Sequence, residues 1–362
     1  MFETQTINVD EVISETLPTR AFAAQSSTSQ LALWNFERRA VGPRDVLIKI
    51  RYCGVCHTDI HFLKNDLGFS VYPLVPGHEI VGIVTRTGDL VKKFSEGDVV
   101  GVGCLVESCR TCANCKEGEE QYCLNGAVYT YNGIEKETGN ITYGGYSSQV
   151  VVNEDFVLHV SDKLPLEKVA PLLCAGITTY SPLRRWNIGK NHRVAIVGLG
   201  GLGHMAVKFA RSFGADVTLL STSPLKEQDA LALGANQFAV TTDDVQVQKL
   251  TGSFDFILDT ICSQHDLNIY LGMLKTHGSL VYLGIDPAPS KIALVSMVFS
   301  GRTVAGSLIG GIAETQEMLN YCAEHNITSD VEIIDIKDIN EAYVRMVNKD
   351  VKYRFVIDMA TL

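Results

Sequence analysis

No segment of the chain supplies the roughly 18 unbroken apolar residues that a membrane-spanning helix needs. The nearest approach, Val194 to Ala210, is broken by Gly198, Gly200, Gly201 and Gly203. The opening segment MFETQTINVDEVISE has no basic flank followed by an apolar run, so no secretion signal is read there. Basic residues are also in deficit: 31 Lys and Arg stand against 41 Asp and Glu, a formal charge of −10. That balance excludes a general grip on nucleic-acid phosphates and docking on an anionic membrane, while leaving room for a local basic pocket. Internal repeats and low-complexity tracts are missing as well. A soluble, compact protein is expected.

What is present is ample core material. The 362 residues are 46% apolar and 20% charged, more than one ordinary core can hold, so two domains are expected. Ten cysteines would suggest disulfides in a small secreted chain, but here four of them fall within fifteen residues, which points to metal. A reducing cytoplasm, where thiols survive as ligands, is the matching compartment.

The first 150 residues alternate short β-rich runs with turns: Val46 to Tyr52, Glu79 to Val84, Asp98 to Val102 and Ser148 to Val152. This spacing predicts a mostly antiparallel, barrel-like domain. From about residue 170 the rhythm becomes strand, helix, strand: Val194 to Val197, a helix near Leu202 to Phe213, Asp216 to Leu220, then strands at Phe254 to Leu258, Ser279 to Leu283 and Thr303 to Ala305. That alternation predicts a parallel sheet covered by helices on both faces. After about 311 come a helix, Glu314 to His325, a β-like run, Asp330 to Ile336, another helix from Ile339 and a last strand, Arg354 to Asp358. This tail either extends the parallel sheet or returns to the first domain; the return is the simpler arrangement.

Cys109, Cys112, Cys115 and Cys123 have spacings that fold back on one tetrahedral centre. Four thiolates leave zinc no open position, so a metal here is structural. An iron–sulfur cluster stays open on spacing alone. A nucleic-acid zinc module is opposed by the flanking Glu107, Glu117, Glu119 and Glu120. Cys56, His78 and Cys174 are dispersed, and each taken singly would read as a core residue. Together they offer two thiolates and one imidazole, which leaves tetrahedral zinc one place for water or substrate. Cys53 and Cys56 could instead be a redox pair, but such a motif opens a helix after a strand. Here the β run ends at Cys53 within a domain of β character. Cys104, Cys262 and Cys322 read as ordinary thiols.

Gly198-Leu199-Gly200-Gly201-Leu202-Gly203 follows a strand and opens a helix, with a second strand beyond. In that context the glycines predict dinucleotide binding: one for the tight turn, one for close approach of pyrophosphate, one for helix-on-strand packing. Sites for NAD usually place Asp or Glu at the end of the second strand. This chain has Ser221, Thr222, Ser223 and Lys226 there, groups that hold a 2′-phosphate where a carboxylate would repel it, so NADP is expected.

These residues resemble the zinc-containing medium-chain alcohol dehydrogenases, within them the cinnamyl alcohol dehydrogenase group with its bacterial NADP-dependent aldehyde reductases. The resemblance rests on Cys53 to Asp59, Pro76 to Glu79, Cys109 to Cys123, Ala170 to Thr179, Gly198 to Gly203 and Gly306 to Gly310. It implies an α/β protein with a GroES-like (chaperonin-10-like), β-rich catalytic domain over 1–170 and 312–362, carrying a structural zinc lobe at 104–125. A Rossmann NADP-binding domain over 171–311 would interrupt it. It also implies two zinc ions per chain: a catalytic one on Cys56, His78 and Cys174, and a structural one on the four lobe cysteines.

The resemblance further casts Glu79 as an alternate ligand, Thr58 as relay hydroxyl and His61 as terminal relay base, the proton passing through Thr58, the cofactor's ribose hydroxyl and His61. Asp59 orients His78, a role metal chemistry also asks for independently. His57 is expected near the pyrophosphate, and Thr178 with Ser307, Leu308 and Ile309 near the nicotinamide. The implied reaction moves hydride between NADP(H) and a primary alcohol or aldehyde. Tyr129 stands where plant members tend to carry Trp, so a broad range including cinnamyl and benzyl aldehydes is expected rather than strict cinnamyl specificity. A polyol dehydrogenase and a non-catalytic homologue are the rival readings. A cytoplasmic homodimer is the expected form.

Overall fold

The computed structural model describes residues 16–285 and 288–362; the opening segment MFETQTINVDEVISE, in which no secretion signal was expected, lies outside them. β1 (Leu17–Ala23) and β2 (Ala32–Arg38) form an antiparallel hairpin that the sequence pattern did not reveal. β3 (Asp45–Gly54), β4 (Ile80–Thr87) and β5 (Val99–Val102) pair antiparallel in sequence. β6 (Leu105–Glu107) and β7 (Val128–Tyr129) frame the four-cysteine lobe, while β8 (Gln149–Asn153) adds to β3 and β9 (Leu158–His159) to β5. The inward faces of these strands, among them Val46, Ile48, Ile80 and Val100, are fully buried, as their alternation requires.

β10 (Arg193–Val197), β11 (Asp216–Ser221), β12 (Gln237–Val240), β13 (Phe254–Asp259), β14 (Leu274–Tyr282) and β15 (Thr303–Gly306) form one parallel sheet in the order β12-β11-β10-β13-β14-β15. This is the doubly wound order whose strand reversal lies beside the first strand, where dinucleotides bind. Strands β10, β11 and β13 are buried on both faces, which is why they read as continuous apolar runs.

The tail takes the second of its two routes. β16 (Val331–Asp335) pairs parallel with β17 (Arg354–Asp358), and β17 pairs antiparallel with β3 through Val356 opposite Gly54 and Ile357 opposite Cys53. β17 and β4 therefore flank the end of β3, and three segments distant in sequence meet at Gly54. Among the described residues, no helix is long and apolar enough to cross a membrane.

Candidate active site

Two of the predicted metal-site thiols stand at helix starts. β3 runs to Gly54 rather than stopping at Cys53, and a helix, His57–Lys64, opens immediately after it with Cys56 as its N-cap. A helix does follow the strand, contrary to expectation, so the β environment does not by itself set a redox pair aside. Placement separates the two thiols instead: Cys53 is fully buried against Gly77 and Gly145, whereas Cys56 Sγ lies 4.0 Å from Cys174 Sγ. Cys174 in turn caps a second helix, Ala175–Arg185. Helix N-termini favour thiolate over thiol. The neighbouring Cys174 thiol and His78 hold Cys56 well below the usual thiol range, against its burial.

His78 comes from the loop before β4, where Gly77 has φ +102° and a Cβ would meet the Cys53 sulfur and the Tyr146 ring at 2.7 Å. Only glycine serves there without displacing the loop. The imidazole stacks on Tyr131, 5.6 Å between ring centres, and its Nε2 is buried with no hydrogen-bond partner. Burial works to lower His78, yet Cys104, Asp59 and Cys56 together raise it well above the usual histidine range. Cys56, His78, Glu79 and Cys174 all present a ligand atom within 4.8 Å of one another, and all four are buried. A buried set of two thiols, an imidazole nitrogen without a hydrogen-bond partner and a carboxylate calls for a soft divalent cation; it fits zinc.

Glu79 is fully buried, forms an ion pair with Arg354 and leaves Oε2 without a partner. Burial pushes its carboxyl up to about 7, opposed by Arg354. The same Arg354 side chain lies against Gly201, where a Cβ would come within 2.7 Å of it. Arg354 thus spans from the metal-ligand cluster to the glycine turn. Sequence reasoning missed it; a cation leading the apolar run Phe355–Ile357 of a buried strand was the available signal. Cys104, read as an ordinary thiol, is half-buried with its Sγ 4.0 Å from the Leu173 carbonyl, outside the metal-ligand cluster.

Thr58 Oγ1 is 3.5 Å from Cys56 Sγ. His61 is partly exposed and its Nδ1 is 2.9 Å from Asp66 Oδ2, at the solvent end of the same helix. His57 lies on that helix too, its ring 6.4 Å from that of His61. Asp59, on the helix's third residue, reaches back to the Cys56 amide at 2.9 Å and closes a capping box.

The glycine turn joins β10 to the helix Gly201–Ser212. A Cβ on Gly203 would sit 2.1 Å from the Gly198 carbonyl, the close helix-on-strand approach that a dinucleotide site requires. Ser221 closes β11 and its Oγ accepts the Ser223 amide at 3.2 Å, with Thr222 exposed between them. Lys226 Nζ donates to the Leu199 carbonyl of the turn, so an ammonium stands across the place where the second strand ends. No carboxylate occupies that strand end. These residues fit a dinucleotide bearing a 2′-phosphate. Thr178 is buried in the helix after Cys174. The Leu308 amide donates to the Tyr122 hydroxyl at 3.0 Å and the Ile312 amide to Glu120 Oε2 at 3.0 Å, which ties the Ser307–Ile309 segment to the lobe.

In that lobe the four sulfurs of Cys109, Cys112, Cys115 and Cys123 lie within 4.8 Å of one another, the first and third 3.9 Å apart. A tetrahedron of sulfurs around zinc has an edge of roughly 3.8 Å, given Zn–S near 2.3 Å. Backbone amides of Cys109, Cys112 and Leu124 point at three of the sulfurs at 3.3–3.5 Å, as thiolates require.

Comparison with known proteins adds to this geometry. The family model described as alcohol dehydrogenase GroES-like domain matches residues 42–162, and that described as zinc-binding dehydrogenase matches 201–324. The chain is 53% identical over 343 residues to NADP-dependent alcohol dehydrogenase C 1 of Mycolicibacterium smegmatis, covering 94% of this chain and 98% of that one. Among solved structures it resembles a cinnamyl alcohol dehydrogenase of Sorghum bicolor, with TM-score 0.93, 43% identity and coverage of 95% and 98%. It resembles equally the cinnamyl alcohol dehydrogenase of Helicobacter pylori complexed with NADP(H), with TM-score 0.90, 43% identity and coverage of 96% and 99%.

Proposed function

Because the chain belongs to the zinc-containing medium-chain alcohol dehydrogenases, in the cinnamyl alcohol dehydrogenase group, we propose that it interconverts primary alcohols and aldehydes with NADP(H), over a broad range that includes aromatic aldehydes. The observation that carries this reading is the convergence of Cys56, His78, Cys174 and Glu79, bridged by Arg354 to the glycine turn. Cys56, His78 and Cys174 would hold the catalytic zinc, and Cys109, Cys112, Cys115 and Cys123 the structural one. When bound, the zinc supplies Lewis-acid polarisation of the substrate oxygen and the nicotinamide supplies or accepts hydride.

The chain's own residues supply the rest. Cys56 and Cys174, set at helix starts, would with His78 supply three of the four ligands of a catalytic zinc, the fourth being water or substrate. Thr58, beside Cys56, holds the hydroxyl proton nearest that oxygen, and His61, partly exposed beside Asp66, exchanges protons with solvent. Glu79 keeps an unshared oxygen among the ligands and serves as an alternate one. Ser221, Thr222, Ser223 and Lys226 receive the 2′-phosphate, His57 approaches the pyrophosphate, and Thr178 and the Ser307–Ile309 backbone flank the nicotinamide.

We take the catalytic domain as 1–170 with 312–362 and the nucleotide domain as 171–311, a division that the pairing of β17 with β3 supports. Ten cysteines, all of them free thiols, suit the cytoplasm. For the assembled form we propose a homodimer. Leu294, Val295, Val298 and Phe299 are 62–85% exposed on and beside the short helix Leu294–Val298, which precedes β15, the open edge of the parallel sheet.

The test is consumption of NADPH and, separately, NADH over a panel of cinnamyl, benzyl and aliphatic aldehydes, before and after zinc removal by a strong chelator. Turnover with NADPH that disappears with the metal is expected. Aldehyde reduction by protein shown by elemental analysis to carry no zinc would end this reading.

A further inference from the structure

Asp59 has no exposed surface, yet its carboxylate is met from four sides. Oδ2 accepts the Cys56 amide at 2.9 Å and the Tyr146 hydroxyl at 3.2 Å. Oδ1 accepts the Gly77 amide at 3.3 Å and stands 3.6 Å from His78 Nδ1. The Tyr146 hydroxyl lies in turn 3.3 Å from the hydroxyl of Tyr343. Both tyrosines are buried, 0% and 5% exposed.

Donor logic gives this chain a single direction. A carboxylate only accepts, so Tyr146 donates to Asp59; its oxygen is then left to accept, so Tyr343 donates to Tyr146. The result is a path of hydroxyls from the helix Ile339–Val347 in the C-terminal tail, through the loop before β8, to the acid beside the metal ligand. Two apolar rings of the same size would fill this space as well, so packing alone does not account for hydroxyls aligned on a buried carboxylate.

We propose that Tyr146 and Tyr343 are positioning residues for the metal site. Their hydroxyls fix the orientation of Asp59, and Asp59 in turn aims the imidazole of His78. With Tyr146 replaced by Phe, Oδ2 keeps one donor in a fully buried pocket. The carboxylate then turns to recover a second donor, and His78 loses its aim. Tyr343 acts only through Tyr146. The proposal rests on the assignment of His78 as a zinc ligand.

The experiment measures zinc release to a chromogenic chelator from the intact two-zinc protein, for wild type, Tyr146→Phe, Tyr343→Phe and the double variant. Tyr146→Phe is expected to release the zinc of the Cys56–His78–Cys174 site about tenfold faster or more, while the lobe zinc leaves at the wild-type rate. Tyr343→Phe produces a smaller acceleration, and the double variant matches Tyr146→Phe alone. With cobalt(II) in place of zinc, the ligand-field absorption of that site shifts in Tyr146→Phe. Wild-type release from Tyr146→Phe, equal acceleration at both sites, or effects that multiply in the double variant would overturn the proposal. His78→Ala separates the two layers of the argument: it should hold one zinc per chain, and retention of two would remove the ligand assignment beneath the proposal.

Discussion

The Arg354 guanidinium and the Glu79 carboxylate form an ion pair 7% and 0% exposed on its two sides, with the metal-ligand cluster on one flank and Gly201 on the other. Breaking a buried pair strands a charge in a medium that cannot solvate it, whereas replacing both partners does not. Arg354→Ala should therefore lose about 3–5 kcal/mol of stability in denaturant unfolding. Arg354→Met combined with Glu79→Gln should recover much of that loss. A loss below about 1 kcal/mol in the single variant would show that the pair is not isolated from water as described.

The hydrogen bond from the Leu308 amide to Tyr122 spans from the nucleotide side to the four-cysteine lobe. In Tyr122→Phe the amide loses its acceptor, a penalty of about 1–1.5 kcal/mol. The dissociation constant for NADPH should rise roughly five- to tenfold in a fluorescence titration. An unchanged constant would remove Tyr122 from the cofactor's support.

His204, fully buried, stands in the first turns of the helix Gly201–Ser212. Its Nδ1 is 3.2 Å from the Gly200 carbonyl, and its Nε2 is 3.1 Å from the Ser329 hydroxyl and accepts the Asp330 amide at 3.4 Å. The ring is thus neutral, and burial lowers it from 6.5 to about 3. A histidine depressed in the folded state leaves stability intact above pH 6.5, and stability falls as pH drops through 6.5 toward 3, because only the unfolded chain takes up the proton. Between pH 7 and pH 5, with zinc in excess, wild type should lose about 2 kcal/mol more than His204→Gln. Parallel pH profiles of the two proteins would contradict this.

Phe299 is 85% exposed at the end of the helix beside the open sheet edge. Phe299→Glu places a charge in the proposed dimer contact and should convert the dimer to a monomer in sedimentation equilibrium at micromolar concentration. A wild-type protein that sediments as a monomer would dismiss the proposed contact outright.

The parallel half of the fold was the most legible part of the sequence, because buried strands leave unbroken apolar runs bounded by glycines. β1 and β2 left no such trace: LPTRAFA and ALWNFER alternate weakly, and Pro18 argues against a strand. The helix Ala175–Arg185 went unread for a similar reason. Its two threonines and Pro182 disfavour helix locally, and burial of nine of its residues overrides that preference. At the site, Cys56, His78, Glu79 and Cys174 could be picked out because each sits in a distinctive local motif, and the structure brings them together. Arg354, Tyr146 and Tyr343 could not. Arg354 meets Glu79 across 275 residues and Tyr343 meets Tyr146 across 197, and no local pattern records contacts of that range.

The ladder between β3 and β17 also sets an order of events in synthesis. Cys53 and Gly54 wait for partners some 300 residues downstream, so every strand of the nucleotide-binding sheet has left the ribosome before that edge is covered. Until then the first domain carries one uncovered edge at the Tyr52–Gly54 end of β3, beside its unfinished metal pocket, the interval in which a nascent chain is most open to wrong pairing.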